Sequence, residues 1–237
     1  MKVKHLVGAF LCVLGCYACS SPKTEVQSPD GHIKMTLTVD ENGKPFYNVS
    51  VDDSLLIENS AMGFTVANGI ILAEGFQVKN TTFSSEDETW TQPWGENKKN
   101  RNHYNEMAVS LTNEDQVQLT LRFRVFDDGI GFRYEYTVPT VDSLLITDEL
   151  TTFHFHRDGT SWSIPASAET YELLYQQQPI SEVETANTPF TFKTADGVYG
   201  SIHEAALYDF PEMTLKQIGH YTLKAELAPW PDGIKAR

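Results

Sequence analysis

One acidic side chain in this sequence stands in surroundings that could give it a chemical role. Residues 199–202, YGSI, read as a strand, and they lead directly into His203, Glu204 and a run of small and apolar residues. A glutamate at the corner where a strand meets packed chain is seldom buried unless a partner compensates its charge. From the residues alone, Glu204 has three interpretations: a paired structural carboxylate, a solvent-exposed one, or a ligand of a metal or substrate.

Two histidines at strand spacing form a second candidate. His154 and His156, in FHFH, would project from one face of a strand, which is either a catalytic or metal-binding face or an ordinary solvated one. Together with Glu204 they are the only groups from which a sugar epimerase could draw its acid and base. The sequence has no P-loop, serine-hydrolase, zincin or zinc-finger motif, and it marks out no pair of carboxylates as acid and base.

Aromatic and polar side chains concentrate in residues 84–106 and 157–189, which we expect to be long loops because they lack strand periodicity. Long loops on a rigid scaffold often carry function. The rings either fix the loops themselves or stack on a sugar or a neighbouring domain. The candidate substrate-binding residues are Trp94, Glu96, Asn102 and His103.

The elements that must position these groups are β-strands. Residues 117–125 and 130–136 alternate between apolar and polar side chains, with an Asp-Asp-Gly turn between them. Residues 32–39 and 46–53 read as a hairpin around the turn at 40–44. Turn signals recur at short intervals and no amphipathic helix of normal length is present. The sequence therefore predicts an all-β fold, a sandwich of two antiparallel sheets.

The composition indicates a globular domain that does not bind nucleic acid. Hydrophobic residues make up 41% of the chain and charged residues 21%, as in folded proteins. The formal net charge is −14, and binding phosphates needs a basic face. Such acidity ordinarily serves solubility, and a calcium-dependent site is the alternative.

The first 19 residues predict export. Lys2 and Lys4 precede an apolar run over 6–18 that is too short to span a bilayer, as in a signal peptide. All 3 cysteines of the chain lie in this segment. Cys16 and Cys19 each stand in a context typical of bacterial lipoprotein cleavage, so either is a candidate for lipidation, with simple cleavage as the alternative. We expect a periplasmic protein or an outer-membrane-anchored lipoprotein whose folded part has no disulfide.

Three stretches, in this order, resemble one known family. They are TWTQPWGENKKNRNHYNEM at 89–107, FRVFDDGIGFRYEY at 123–136 and VYGSIHEAALYDFPEMTL at 198–215. They resemble the N-terminal domain of glycoside hydrolase family 97, exported α-glucosidases and α-galactosidases of the Bacteroidetes type. The first stretch is the most specific of the three.

The resemblance implies a β-super-sandwich of the galactose-mutarotase type. In the family this domain packs on a (β/α)₈ barrel that holds the catalytic carboxylates and acts on α-linked glucans or galactosides. The domain lends the active site a loop and one glutamate that helps to bind Ca²⁺. The glutamate of IHEAAL matches that residue, so the resemblance implies that Glu204 is a calcium ligand and that the barrel supplies the others.

A barrel needs roughly 250 residues of its own, and the sequence stops at ELAPWPDGIKAR. We therefore expect a fragment that is inactive alone. The expected organisation is a signal peptide at 1–19, a tether at 20–31, the super-sandwich at 32–230 and the start of a linker at 231–237. Two alternatives stay open, a free-standing mutarotase-like epimerase and a lipoprotein that only binds glycans.

Overall fold

The computed structural model describes residues 23–236, apart from 68, 140, 142 and 209. Within these residues the chain forms nineteen β-strands, one 3₁₀ turn at Ile180–Glu182 and no α-helix, as the periodicity predicts. No helix in this part of the chain is long and apolar enough to cross a membrane. The signal segment, with Cys16 and Cys19, lies outside the described residues.

The strands of the first half are β1 (Glu25–Gln27), β2 (Ile33–Val39), β3 (Pro45–Val51), β4 (Ser54–Ala61), β5 (Phe64–Val66), β6 (Ile71–Leu72), β7 (Gln77–Thr91), β8 (Lys99–Thr112), β9 (Gln118–Phe126) and β10 (Gly129–Thr137). Those of the second half are β11 (Ile146–Glu149), β12 (Thr152–His154), β13 (Gly159–Ser163), β14 (Gln176–Pro179), β15 (Thr185–Asn187), β16 (Phe190–Thr194), β17 (Tyr199–Ile202), β18 (Met213–Gly219) and β19 (Thr222–Leu227).

The hairpin of β9 and β10 forms as its alternation predicts. Leu121 and Phe123 on β9 are fully buried, because residues two apart along a strand share a face. Arg122 lies between them on the opposite face, where it pairs with Glu135 of β10. Phe132 on β10 packs against the same core from the neighbouring strand.

The sheets form two layers around one core. Sheet β1-β2-β3-β4 packs against sheet β10-β9-β8-β7, and the rings of Tyr47 and Phe132 lie 5.4 Å apart between them. In the second half, sheet β12-β19-β18-β15 forms one layer and sheet β14-β13-β16-β17 the other. The rings of Phe155 and Phe192 lie 4.8 Å apart between them. A small sheet, β11-β5-β6, covers one side. The predicted all-β sandwich of antiparallel sheets is confirmed.

One layer is continuous across the two halves. Ile57, on β4, forms a β-bridge with Phe155, and the backbone N–H of His154 donates to Ser60 Oγ at 2.8 Å. Sheet β1-β2-β3-β4 and sheet β12-β19-β18-β15 therefore join side by side. In the opposite layer β10 and β17 are the edge strands of separate sheets.

Residues 84–106 form a hairpin, not the predicted loop. They continue β7 and β8, whose outer parts make a largely exposed arm with its turn at 92–98. Arg101 forms a two-bond ion pair with Asp87 across the arm. Both faces of the arm meet solvent, so its sequence carries no alternation from which a strand could be predicted. The stretch 157–189 likewise contains β13, β14 and β15.

The predicted tether and linker are both partly folded onto the domain. Residues 25–27 of the tether form β1, which pairs with β2. At the other end, the backbone N–H of Ile146 donates to the carbonyl of Ala236 at 2.9 Å, and Ala236 is buried. Both segments are too short and too polar for their pairing to be visible in the sequence.

Candidate functional site around Glu204

Glu204 lies in the loop that joins β17 to β18, and it ties that loop to the start of β18. Its Oε1 accepts a hydrogen bond from the backbone N–H of Met213 at 2.7 Å. Its Oε2 accepts a longer one, at 3.4 Å, from the Thr188 hydroxyl. Ala206 adopts a left-handed φ of 53°, a conformation uncommon for a residue with a Cβ. The chain thus turns immediately after Glu204, which keeps the carboxylate at the corner.

The carboxylate of Glu204 carries a charge that its surroundings compensate poorly. Partial burial raises the pKa of Glu204 and the charge of Glu212 adds to the increase, although the N–H of Met213 opposes it. Across the residues that the structure describes, no three His, Cys, Asp or Glu side chains converge to hold a metal ion. The described residues therefore provide too few ligands to hold a metal ion here, and Oε2 of Glu204 is only weakly engaged.

Glu149 is a second acidic group at this site that the sequence analysis missed. It is 8% exposed, and its Oε1 accepts a hydrogen bond from the Thr151 hydroxyl at 2.6 Å. The hydroxyl of Tyr134 lies 2.6 Å from the same Thr151 oxygen. Burial raises the pKa of Glu149, and the charge of Glu204 raises it further. The two carboxyls therefore lie close enough to repel each other.

A bulge in β11 explains why the alternation of the sequence did not predict that Glu149 is buried. In a regular strand Ile146 and Glu149 would face opposite sides of the sheet, because their spacing is odd. The pairing of β11 with β5 shifts register between Ile146 and Asp148, and such a bulge turns the following side chains to the other face. Ile146 and Glu149 are consequently both buried.

Glu149 and Glu204 face a groove of about 760 Å³. Its lining includes residues of β10 and β17. Three residues of the continuous layer, Tyr47, Ile57 and Phe153, line it as well. Most of the lining side chains are apolar, and the acidic exceptions are Asp127, Asp128, Glu149 and Glu204. Glu149 is buried and Glu204 is half-buried, and carboxyls in a concave, mostly apolar surface are a common arrangement of functional sites.

An exposed apolar surface adjoins this groove, and we call it the aromatic patch. It is formed by residues 171–175 together with Leu207, Tyr208 and Phe210. The Tyr171 hydroxyl donates a hydrogen bond to Glu212, two residues beyond Phe210. Contiguous exposed apolar surface on a soluble domain marks an interaction site. Its most exposed members are Tyr171, Leu174, Tyr175, Leu207 and Tyr208.

The four predicted substrate-binding residues lie on the β7–β8 arm, and none of them lines the groove of Glu204. Trp94 and Glu96 border a shallow depression at the turn of the arm, and Trp94 is 85% exposed. Asn102 donates to Glu88 across the arm. His103, further down β8, lies 3.6 Å from Asp127. The structure thus separates these residues into a free pair at the turn and a pair engaged in cross-strand contacts.

The histidine pair does not converge with Glu204. His156 Nδ1 contacts Glu58 at 2.9 Å, and His154 is the last residue of β12, at the junction of the two halves. Neither histidine lines the groove that holds the two carboxyls. The acid and base that an epimerase would need are therefore not brought together from these residues.

Comparison with known proteins identifies the family of this chain. The profile of the glycosyl-hydrolase 97 N-terminal family matches residues 26–231. A retaining alpha-galactosidase of Bacteroides thetaiotaomicron is 25% identical over 246 residues, which cover 97% of this chain and 36% of that protein.

Solved structures agree. Two structures of a glycoside hydrolase family 97 enzyme from Pseudoalteromonas sp. strain K8, one in complex with panose and one with acarbose, each show 37% identity and a TM-score of 0.83, covering 89% of this chain and 32% of theirs. A beta-arabinopyranosidase shares the fold, with 21% identity and a TM-score of 0.76 over 85% of this chain and 35% of that one. This chain thus spans about a third of the length of these relatives. The breadth of the profile match decides the assignment: the chain belongs to the glycosyl-hydrolase 97 N-terminal family.

Proposed function

We propose that this chain is the docking and carbohydrate-binding N-terminal domain of an exported α-glycosidase. The observation that supports the proposal best is the family match over residues 26–231, combined with relatives in which this region is only about a third of the protein. The remaining two thirds are long enough for a (β/α)₈ barrel. The aromatic patch is the surface on which that barrel would pack.

Glu204 would give one carboxylate oxygen to a Ca²⁺ ion at the junction with the barrel. The residues present fit such a role, because Oε2 of Glu204 has only one long hydrogen bond and because the pKa of the carboxyl is raised by burial and by Glu212, both of which a cation would offset. Ca²⁺ takes 6–8 oxygen ligands, so most ligands must come from outside this chain. When bound, the ion would orient the substrate and stabilise negative charge.

The proposed substrates are α-linked glucans or galactosides. One relative is a retaining alpha-galactosidase, and the structure of another contains panose. Trp94 and Glu96 remain candidates for sugar contacts. An exposed indole can stack on a sugar ring, and a carboxylate beside it can accept hydrogen bonds from the sugar hydroxyls. Export as a periplasmic protein or lipoprotein, with Cys16 or Cys19 as the lipidated residue, is part of the same proposal.

A chimera tests the calcium proposal. This chain would be fused to the remainder of the Pseudoalteromonas relative, and Ca²⁺ binding would be measured by calorimetry. We expect the chain alone to release little heat when titrated with Ca²⁺ and not to hydrolyse aryl α-glycosides. The chimera should bind Ca²⁺ and hydrolyse these substrates.

Glu204→Gln should weaken Ca²⁺ binding and activity in the chimera, because it removes the charged ligand and keeps the shape. Glu212→Gln is the matched control, since it removes a nearby charge without removing the proposed ligand. If the chain alone binds Ca²⁺ at micromolar concentration, or if the chimera tolerates Glu204→Gln as well as the control, the proposal is wrong.

A further inference from the structure

Two unpaired strand edges border the groove of Glu149 and Glu204. Strand β10 pairs only with β9, and β17 pairs only with β16, among the strands that the structure describes. Residues 129–132 of the first and 199–202 of the second line the same groove. In an antiparallel strand about half of the backbone N–H and C=O groups point away from the paired neighbour. Both edges therefore present backbone donors and acceptors without a strand partner.

The groove between these edges has the floor that a strand requires. Tyr47, Ile57 and Phe153 of the continuous layer also line the groove, and Tyr47 and Ile57 belong to the core. A strand placed here would bury alternate apolar side chains on this floor and direct the others to solvent. Open edges over an apolar floor are the usual setting for strand addition, and natural proteins rarely leave them uncovered.

The charge of the groove selects the strand. Its acidic lining residues are Asp127, Asp128, Glu149 and Glu204, whereas its lining in the described chain includes no lysine or arginine. The carboxyl of Glu149 is buried and forms no salt bridge with any described residue, although the more distant charge of Lys224 partly compensates it. A strand carrying lysine or arginine would compensate this charge, and a strand carrying acidic residues would add to it.

We propose that the groove receives an extended basic strand, with apolar residues at alternate positions, that pairs with the free edges of β10 and β17. The strand would come from the remainder of the larger enzyme, and only this statement of its source rests on the proposed function. A second copy of this chain is a poor occupant, because its net charge is −14 and its own groove is equally acidic.

Peptide binding tests the proposal directly. The probes are three ten-residue peptides of alternating valine and threonine: one with two threonines replaced by arginine, one with the same two replaced by glutamate, and an arginine peptide N-methylated on alternate residues. Binding to the protein would be followed by calorimetry and by amide hydrogen exchange. The arginine peptide should bind and protect the amides of 129–137 and 199–202. The glutamate and N-methylated peptides should bind at least about tenfold more weakly. The glutamate peptide carries negative charge where the groove is acidic, and the N-methylated peptide lacks half of its backbone N–H donors.

The double variant Asp128→Asn, Glu149→Gln should bind the arginine peptide about fivefold to tenfold more weakly. Glu135→Gln is the matched control, since it removes a charge from β10 that pairs with Arg122 away from the groove, and it should leave the affinity unchanged. Exchange at β9 confirms that each variant is folded.

Equal binding of all three peptides, protection of neither edge, or equal losses in the double variant and the control would overturn the proposal. So would a dimer of the free protein in light scattering, with the same edges already protected. None of these measurements uses the barrel or calcium, so this inference can fail while the proposed function stands.

Discussion

Replacing Glu204 separates its structural role from its proposed role as a ligand. In Glu204→Ala the backbone N–H of Met213 loses a 2.7 Å hydrogen bond to a carboxylate. A hydrogen bond to a charged group contributes about 1.5–3 kcal/mol, and because Glu204 is only half-buried we expect the free energy of unfolding to fall by about 1–2 kcal/mol. For a domain of this size that corresponds to a decrease in melting temperature of about 2–8 °C.

Glu204→Gln should behave differently. Its amide oxygen can still accept the N–H of Met213, and it removes the repulsion that Glu212 and Glu149 exert on the carboxylate. We expect its melting temperature to stay within about 2 °C of the original protein. Urea unfolding and calorimetry of both variants measure the difference. If glutamine costs as much as alanine, the charge itself holds the loop and the argument from the hydrogen bond fails. If alanine costs nothing, the loop is held by other contacts.

Two further predictions concern the charged ladder on the outer face of β8, β9 and β10. Glu106 accepts hydrogen bonds from Arg122 and Arg124 and is 8% exposed, so Glu106→Gln should lower the free energy of unfolding by about 1–3 kcal/mol in urea titrations. Asp87→Asn, in the exposed pair on the arm, should cause no measurable loss, and an equal loss would refute the dependence on burial. The hydrogen bonds of Arg122 hold the pKa of Glu135 at about 2. This folded-state pKa lies below the ordinary value of 4.5, so the stabilisation is complete above pH 4.5 and is lost as pH falls toward 2. In Glu135→Gln the free energy of unfolding should therefore fall less steeply over that pH range. An unchanged slope of that free energy against pH would contradict the assignment.

Local patterns predicted the strands that have one face on the core and one toward solvent. Leu121 and Phe123 alternate with arginines, and the structure buries the first set and leaves the second partly exposed on the other face. Where both faces meet solvent, as along residues 84–91 of the arm, burial imposes no alternation and the sequence resembles a loop. The strand at 25–27 could not be predicted either, because three residues are too few to establish a period of two.

The candidate site was predicted only in part, for reasons that lie in tertiary structure. Glu204 was singled out because its neighbours along the chain, a strand on one side and small apolar residues on the other, are visible in the sequence. Its hydrogen bond to Met213 joins residues nine positions apart along the chain, which no local pattern reports. Glu149 was missed because a bulge in β11 turns its side chain to the buried face of the sheet. Bulges depend on pairing with a partner strand, which the local sequence does not show.

The sequence by itself determined the class of fold, the alternation of the core strands, the acidic character of the chain and its resemblance to one family, because each depends on residue types or on neighbours within one strand. Only the tertiary structure decided that Glu149 and Glu204 share a groove, that His154 and His156 lie away from it, and that β10 and β17 border the same groove with an edge unpaired by any described strand. Those facts depend on which sheets adjoin and which stand apart, and such contacts join residues far apart along the chain, where periodicity carries no information.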